Sequence, residues 1–109
     1  MAISTLDAFQ VIADPSRRQI LQLLTKDSYN ITTLAENFEM SRPAVSKHIK
    51  VLQTAGFIFI QESGRERYCI LSQEGFNQIR NWLSHFDKFW NSKLQNLETV
   101  LKNRNSNEN

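Results

Sequence analysis

Apolar residues recur along this chain in two periods, and the switches between them lay out its elements. Leu6, Phe9, Val11, Ile12 and Ala13 form a first short helical pattern. Asp14 then suits an N-cap, with Pro15 in the first turn, where its missing N–H costs nothing. Ile20, Leu21, Leu23 and Leu24 follow at helical spacing and predict a second helix over roughly residues 15–25. The segment "KDSYN" breaks it. Thr32 or Thr33 can start a third, short helix whose apolar face is Leu34, Ala35 and Phe38. Ser41 caps a fourth helix with Pro43 in its first turn. Val45, Ile49, Leu52 and Ala55 fall on one buried face of it, and Gly56 stands where a helix ends on a left-handed residue.

After Gly56 the period shortens to that of strands. "FIFIQES" and "RERYCIL" are runs of β-branched and aromatic residues joined around Gly64, which predicts a hairpin. From Gln73 to about Lys102 the helical period returns as one long helix. Phe76, Ile79, Leu83, Phe86, Trp90, Leu94, Leu97 and Leu101 recur at spacings of three and four, and Trp82 and Phe89 widen the stripe. The polar end, residues 104–109, is expected to be a disordered tail, leaving residues 1–103 as one domain. The elements therefore predict a mainly α fold with a small β-hairpin, in the order α-α-α-α-β-β-α. Two short helices joined by a tight turn, with a hairpin directly after, make a winged helix-turn-helix.

In such a unit the second helix enters the DNA major groove with its N-terminal residues nearest the bases. That gives the stretch "MSRPAVSKHIKVL" a chemical meaning. Ser41 leaves a helix N-terminus able to meet a phosphate. Arg42 can form a fork to guanine O6 and N7. Ala44 and Val45 are small enough to let the backbone approach or to touch a thymine methyl. Ser46, Lys47, His48 and Lys50 can reach base edges or phosphates. Arg65 and Arg67 sit at or beside the hairpin tip, where a wing meets flanking DNA. The competing reading of this polar face is an ordinary solvated helix exterior, and the surrounding helix, turn and hairpin favour DNA.

Charge refines the picture. The chain of 109 residues carries a net charge of only +2, with 40% apolar and 22% charged residues, ordinary for a globular protein. Residues 41–67 hold five Lys/Arg against Glu62 and Glu66, whereas the rest is slightly acidic, so the positive charge is concentrated on the proposed DNA face. No run of apolar residues is long enough to span a membrane, and no signal peptide is evident. With one cysteine, Cys69, no internal disulfide forms, which suits a cytoplasmic location. Cys69 fits a small buried apolar residue better than a redox switch, since no second cysteine is present to resolve an oxidised sulfur. Arg17 and Arg18 suit surface or helix-to-helix ion pairs.

The blocks "ADPSRRQILQLL", "LAENFEMSRPAVSKHIKVLQTAGFI" and "ESGRERYCIL" resemble the ArsR-type winged-helix repressors over nearly the whole chain. The final "WLSHFDKFWNSKLQNLETVL" resembles a branch of that family often encoded beside genes for small START-like domains. The resemblance implies a homodimer joined through the first and last helices, with Leu6, Phe9, Leu83, Phe86, Trp90, Leu94 and Leu97 at the interface. It also implies a near-palindromic double-stranded operator and release by a small-molecule effector of unknown identity. Metal sensors of the family carry paired cysteines on the helix matching residues 30–35, and here that stretch is "NITTLA". His85 and Asp87 lie two apart on different faces of the last helix. Neither a metal nor any other cofactor is expected. An enzyme fails on content, lacking a nucleophile with a base, a carboxylate pair in a cleft or a phosphate-cradling glycine loop. A winged-helix protein-interaction module without specific DNA binding is the remaining alternative.

Overall fold

A computed structural model describes residues 6–107. It contains helices α1 (Ala8–Ile12), α2 (Pro15–Leu24), α3 (Ile31–Glu36), α4 (Arg42–Thr54), α5 (Gln73–Ser84) and α6 (Asp87–Asn107), and strands β1 (Tyr29–Asn30), β2 (Ile58–Ser63) and β3 (Glu66–Leu71). The chain divides into two compact units, residues 1–79 and 80–109. The core of the first is built by Val11, Ile20, Leu34, Leu52, Phe57 and Cys69, all fully buried, with Val45 and Ile49 of α4 beside them.

The helices start where side chains can satisfy exposed backbone donors. Asp7 and Gln10 form a reciprocal capping box at α1. Leu6 therefore lies ahead of the cap, outside the helix expected to contain it. Asp14 caps α2 through the N–H of Arg17, and Ser41 caps α4 through that of Ala44. Helix α3 begins one residue before Thr32, because Asn30 takes the cap position and accepts from the N–H of Thr33. At the end of α4, Gly56 has a φ of +83°. The N–H of Phe57 bonds the carbonyl of Leu52 and that of Gly56 bonds the carbonyl of Gln53, the paired closure that a left-handed glycine permits.

The hairpin is part of a three-stranded antiparallel sheet in the order β1-β3-β2, not an isolated pair. The register sets Ile58 opposite Leu71, Ile60 opposite Cys69 and Ser63 opposite Glu66, with Gly64 at φ +64° in the two-residue turn. The added strand β1 pairs Tyr29 with Cys69 and Asn30 with Tyr68. Two residues are too few to show an alternating pattern, which is why "KDSYN" looks like a plain break in the sequence.

The expected single last helix is two. At the break, the side chains of Ser84 and His85 both bond the carbonyl of Asn81, and the N–H of His85 falls back to Trp82 three residues away. Side-chain competition for one helix carbonyl tightens and ends the helix there. The second unit holds the rest of α5 and all of α6. Residues 104–107, expected to be a disordered tail, continue α6, while 108 and 109 lie outside the described residues. Once a helix is nucleated each further residue adds a hydrogen bond, and Arg104 in the last turn complements the dipole. No helix among the described residues is long and apolar enough to cross a membrane.

Candidate nucleic-acid interface

Helix α4 is amphipathic, and its packing decides which residues face outward. Val45, Ile49 and Leu52 are buried against the core, while Ser41, Arg42, Lys47 and Lys50 are exposed and Ala44 and Ser46 half-buried. Val45 was expected among the DNA-contacting residues. It is fully buried instead, because it occupies the first position of the same apolar stripe as Ile49 and Leu52. Arg65 and Arg67 are exposed on the wing.

Tertiary structure brings the start of α4 and the wing to one surface. Arg42, Arg65 and Arg67 line a cavity of about 270 Å³ together with Asn30, Thr32 and Glu66. A second cavity of about 360 Å³ is bordered by Ser46, Lys50, Gln53 and Arg67 over an apolar floor that includes Ile49 and Ile60. Arg67 therefore adjoins both. It also lies 3.9 Å from Glu62 on the neighbouring strand, an exposed pair that water and salt weaken. The result is a concave cationic surface whose two walls are helix and wing. Gln53 was missed in the sequence, although it lies on the Ser46–Lys50 face and periodicity alone identifies it. Asn30 and Thr32 carry no such signal, since only folding places α3 beside the wing.

His48 has a different environment from its neighbours. It is half-buried, with Nδ1 3.4 Å from Arg17 Nη1 and 4.0 Å from Asp14. A guanidinium only donates, so Nδ1 accepts and a neutral ring carries its proton on Nε2. The Asp14 contact becomes an ion pair only when the ring is protonated. Arg17 also donates through Nε to the carbonyl of Val11 at 2.7 Å and through Nη2 to that of Gln10 at 3.3 Å. Arg18 bonds the carbonyls of Ile12 and Ala13. The two arginines thus satisfy the open carbonyl end of α1, Arg17 half-buried and Arg18 exposed. The backbone N–H of Arg17 holds the Asp14 carboxyl below its usual range; the charge of Arg17 adds to this, as does His48 when its ring is protonated, partly opposed by burial.

Burial pushes the Cys69 thiol up to about 11. Among the described residues, no three His, Cys, Asp or Glu side chains are grouped so that they could hold a metal ion.

Residues 14–58 match the model of the bacterial regulatory proteins of the arsR family. The HTH-type transcriptional regulator Rv2034 of Mycobacterium tuberculosis is 37% identical over 94 residues, covering 86% of this chain and 85% of that protein. The transcriptional repressor SdpR of Bacillus subtilis is 32% identical, over 73% of this chain and 89% of its own length. Among solved structures, an ArsR family transcriptional regulator superposes with a TM-score of 0.69 at 34% identity, covering 77% of this chain and 92% of the other. A homodimeric winged helix-turn-helix domain from Mycobacterium bovis shares the fold at 17% identity and a TM-score of 0.59. With its capped second helix, its wing and these relatives, the chain belongs to the ArsR family and is a winged helix-turn-helix transcriptional regulator, not an enzyme.

Proposed function

We propose that the chain is a homodimeric, sequence-specific repressor that acts in the cytoplasm on a near-palindromic operator and is released by a small effector. The observation that carries this is the cationic concavity between the N-terminal half of α4 and the wing, backed by an α4 stripe committed to the core. In this reading Arg42 and Lys47 meet base edges, with Ala44 and Ser46 lining the close approach. Ser41 meets a phosphate at the helix N-terminus, and Lys50, Arg65 and Arg67 contact the flanking backbone. Val45 plays no part in the contact.

The second unit supports the dimer. Leu83, Phe86, Trp90, Leu94 and Leu97 are each 40–61% exposed, and residues 87–104 of α6 are all exposed. So large an apolar surface on one unit is the mark of an interface. A second copy of this unit would cover it; Leu6 and Phe9 of the first unit, both exposed, meet the partner as well in this reading. Two-fold pairing sets two recognition helices about one DNA turn, roughly 34–36 Å, apart. A hydrophobic effector would compete at the same face, where Trp82, Leu83, Phe86, Asp87 and Trp90 border a cavity of about 430 Å³.

The test is a variant with Phe86→Glu and Trp90→Glu, studied by sedimentation and by titration of a palindromic site and of one half-site. The expected variant is a monomer with little preference for the operator over random DNA. A monomer that keeps full operator affinity would refute the dimer. Salt-independent binding of the unaltered chain, with no preference for its own promoter region, would refute the DNA reading.

A further inference from the structure

We infer that Asn30 and Glu66 are positioning residues that hold the wing tip against the helix-turn-helix; the inference rests on the DNA reading above. Asn30 uses both ends of its side-chain amide. Its Oδ1 accepts from the N–H of Thr33 at 2.7 Å and caps α3, while its Nδ2 donates to Oε2 of Glu66 at the start of β3. Its backbone is also in register with Tyr68 of the same strand. One residue therefore joins the first helix of the motif to the wing.

Glu66 is otherwise hard to explain. It stands between Arg65 and Arg67 and borders the cavity that both share with Arg42. A carboxylate on a surface that meets phosphate weakens the attraction. Strand β1 supports β3 only at Tyr68 and Cys69, short of the tip. A two-stranded ribbon beyond that support is marginal by itself. The bond to Asn30 reaches past β1 and restrains the tip, so Arg65 and Arg67 face Arg42 before DNA arrives. Preorganisation of this kind removes an ordering cost from binding.

Asn30→Ser separates the two duties, because serine still caps a helix but is too short to reach Glu66. Operator affinity is measured for the full chain with and without this change, each with Glu66 present or replaced by Ala. Asn30→Ser should weaken binding roughly threefold to tenfold when Glu66 is present, the worth of one hydrogen bond, and leave it unchanged in Glu66→Ala. An equal loss in both backgrounds, or no loss in either, overturns the inference. Without DNA, backbone ¹⁵N order parameters at Gly64 and Arg65 should fall in Asn30→Ser and in Glu66→Ala alike, with no further fall in the double variant. Combining Asn30→Asp with Glu66→Gln reverses the donor and acceptor at unchanged net charge and should restore them. Unchanged wing order in all variants overturns the latch whatever the affinities. Absence of specific binding by the unaltered chain overturns the DNA reading alone, because the order parameters report the latch without DNA.

Discussion

A methyl group at position 75 has no room. Gly75 is buried in the first turn of α5, and a Cβ built there would lie 2.7 Å from Cγ of Phe57 and 2.8 and 2.9 Å from its two Cδ atoms. Carbon atoms in contact prefer about 3.5–4.0 Å, so Gly75→Ala demands a retreat of about 1 Å. The ring of Phe57 is fully buried and meets Phe76 edge-on at 4.9 Å. The backbones are pinned as well. The N–H of Gly75 bonds the carbonyl of Gly56 at 2.8 Å, and the N–H of Ser72 bonds the carbonyl of Phe57 at 2.9 Å. Overpacking of this kind costs about 1–3 kcal/mol, and with no slack the upper part of that range applies. Alanine recovers about 1 kcal/mol through its better helix propensity. The net loss is about 1–2 kcal/mol, or roughly 5–15 °C in Tm for a domain of this size. Thermal and urea denaturation followed by circular dichroism measures it. Adding Phe57→Leu should return part of the loss, with a coupling of about 1 kcal/mol. A Gly75→Ala protein as stable as the original, or more so, would refute the close contact. Phe57 also closes the end of α4, the helix proposed to read DNA, so the same variant should bind DNA more weakly.

Arg42→Ala should relax base preference at one position per half-site at a cost of about 1–3 kcal/mol, whereas Arg65→Ala should weaken all sequences alike and reduce the salt slope by about one. A binding-site profile unchanged by Arg42→Ala would remove it from the reading set. The depressed Asp14 carboxyl contributes stability that is present above its unfolded value and lost as pH falls through the lower folded value. Asp14→Asn, which keeps the cap, should therefore flatten stability against pH on the acid side of about 4; urea melts from pH 2 to 6 check this. Cys69 should resist alkylation at pH 8 in the native protein and react at an ordinary thiol rate once unfolded, because its fully buried thiol is held at about 11. Fast native labelling would show that the strand opens.

Local chemistry sufficed for much of this protein. Helix α4 is legible because its cap, first-turn proline, apolar stripe and terminal glycine all act within a few residues of one another. The hairpin is equally legible, since strand propensity and Gly64 agree. The exposed cations of α4, Arg42, Lys47 and Lys50, follow from the same periodicity, being what the stripe leaves outside. Longer-range competition was not legible. Val45 looks small enough to meet DNA, but it sits where the core needs an apolar side chain, and burial wins. His48 looks like a member of the polar face until Asp14 and Arg17, more than 30 residues earlier, are placed beside it. The break between α5 and α6 interrupts no apolar spacing; it depends on two side chains competing for the carbonyl of Asn81. Strand β1 owes its existence to β3, because two residues have no periodicity of their own. The bond from Asn30 to Glu66 spans 36 positions and joins a half-buried asparagine to an exposed glutamate. A pattern along the chain records what each residue does to its near neighbours, and partners chosen by folding leave no trace there.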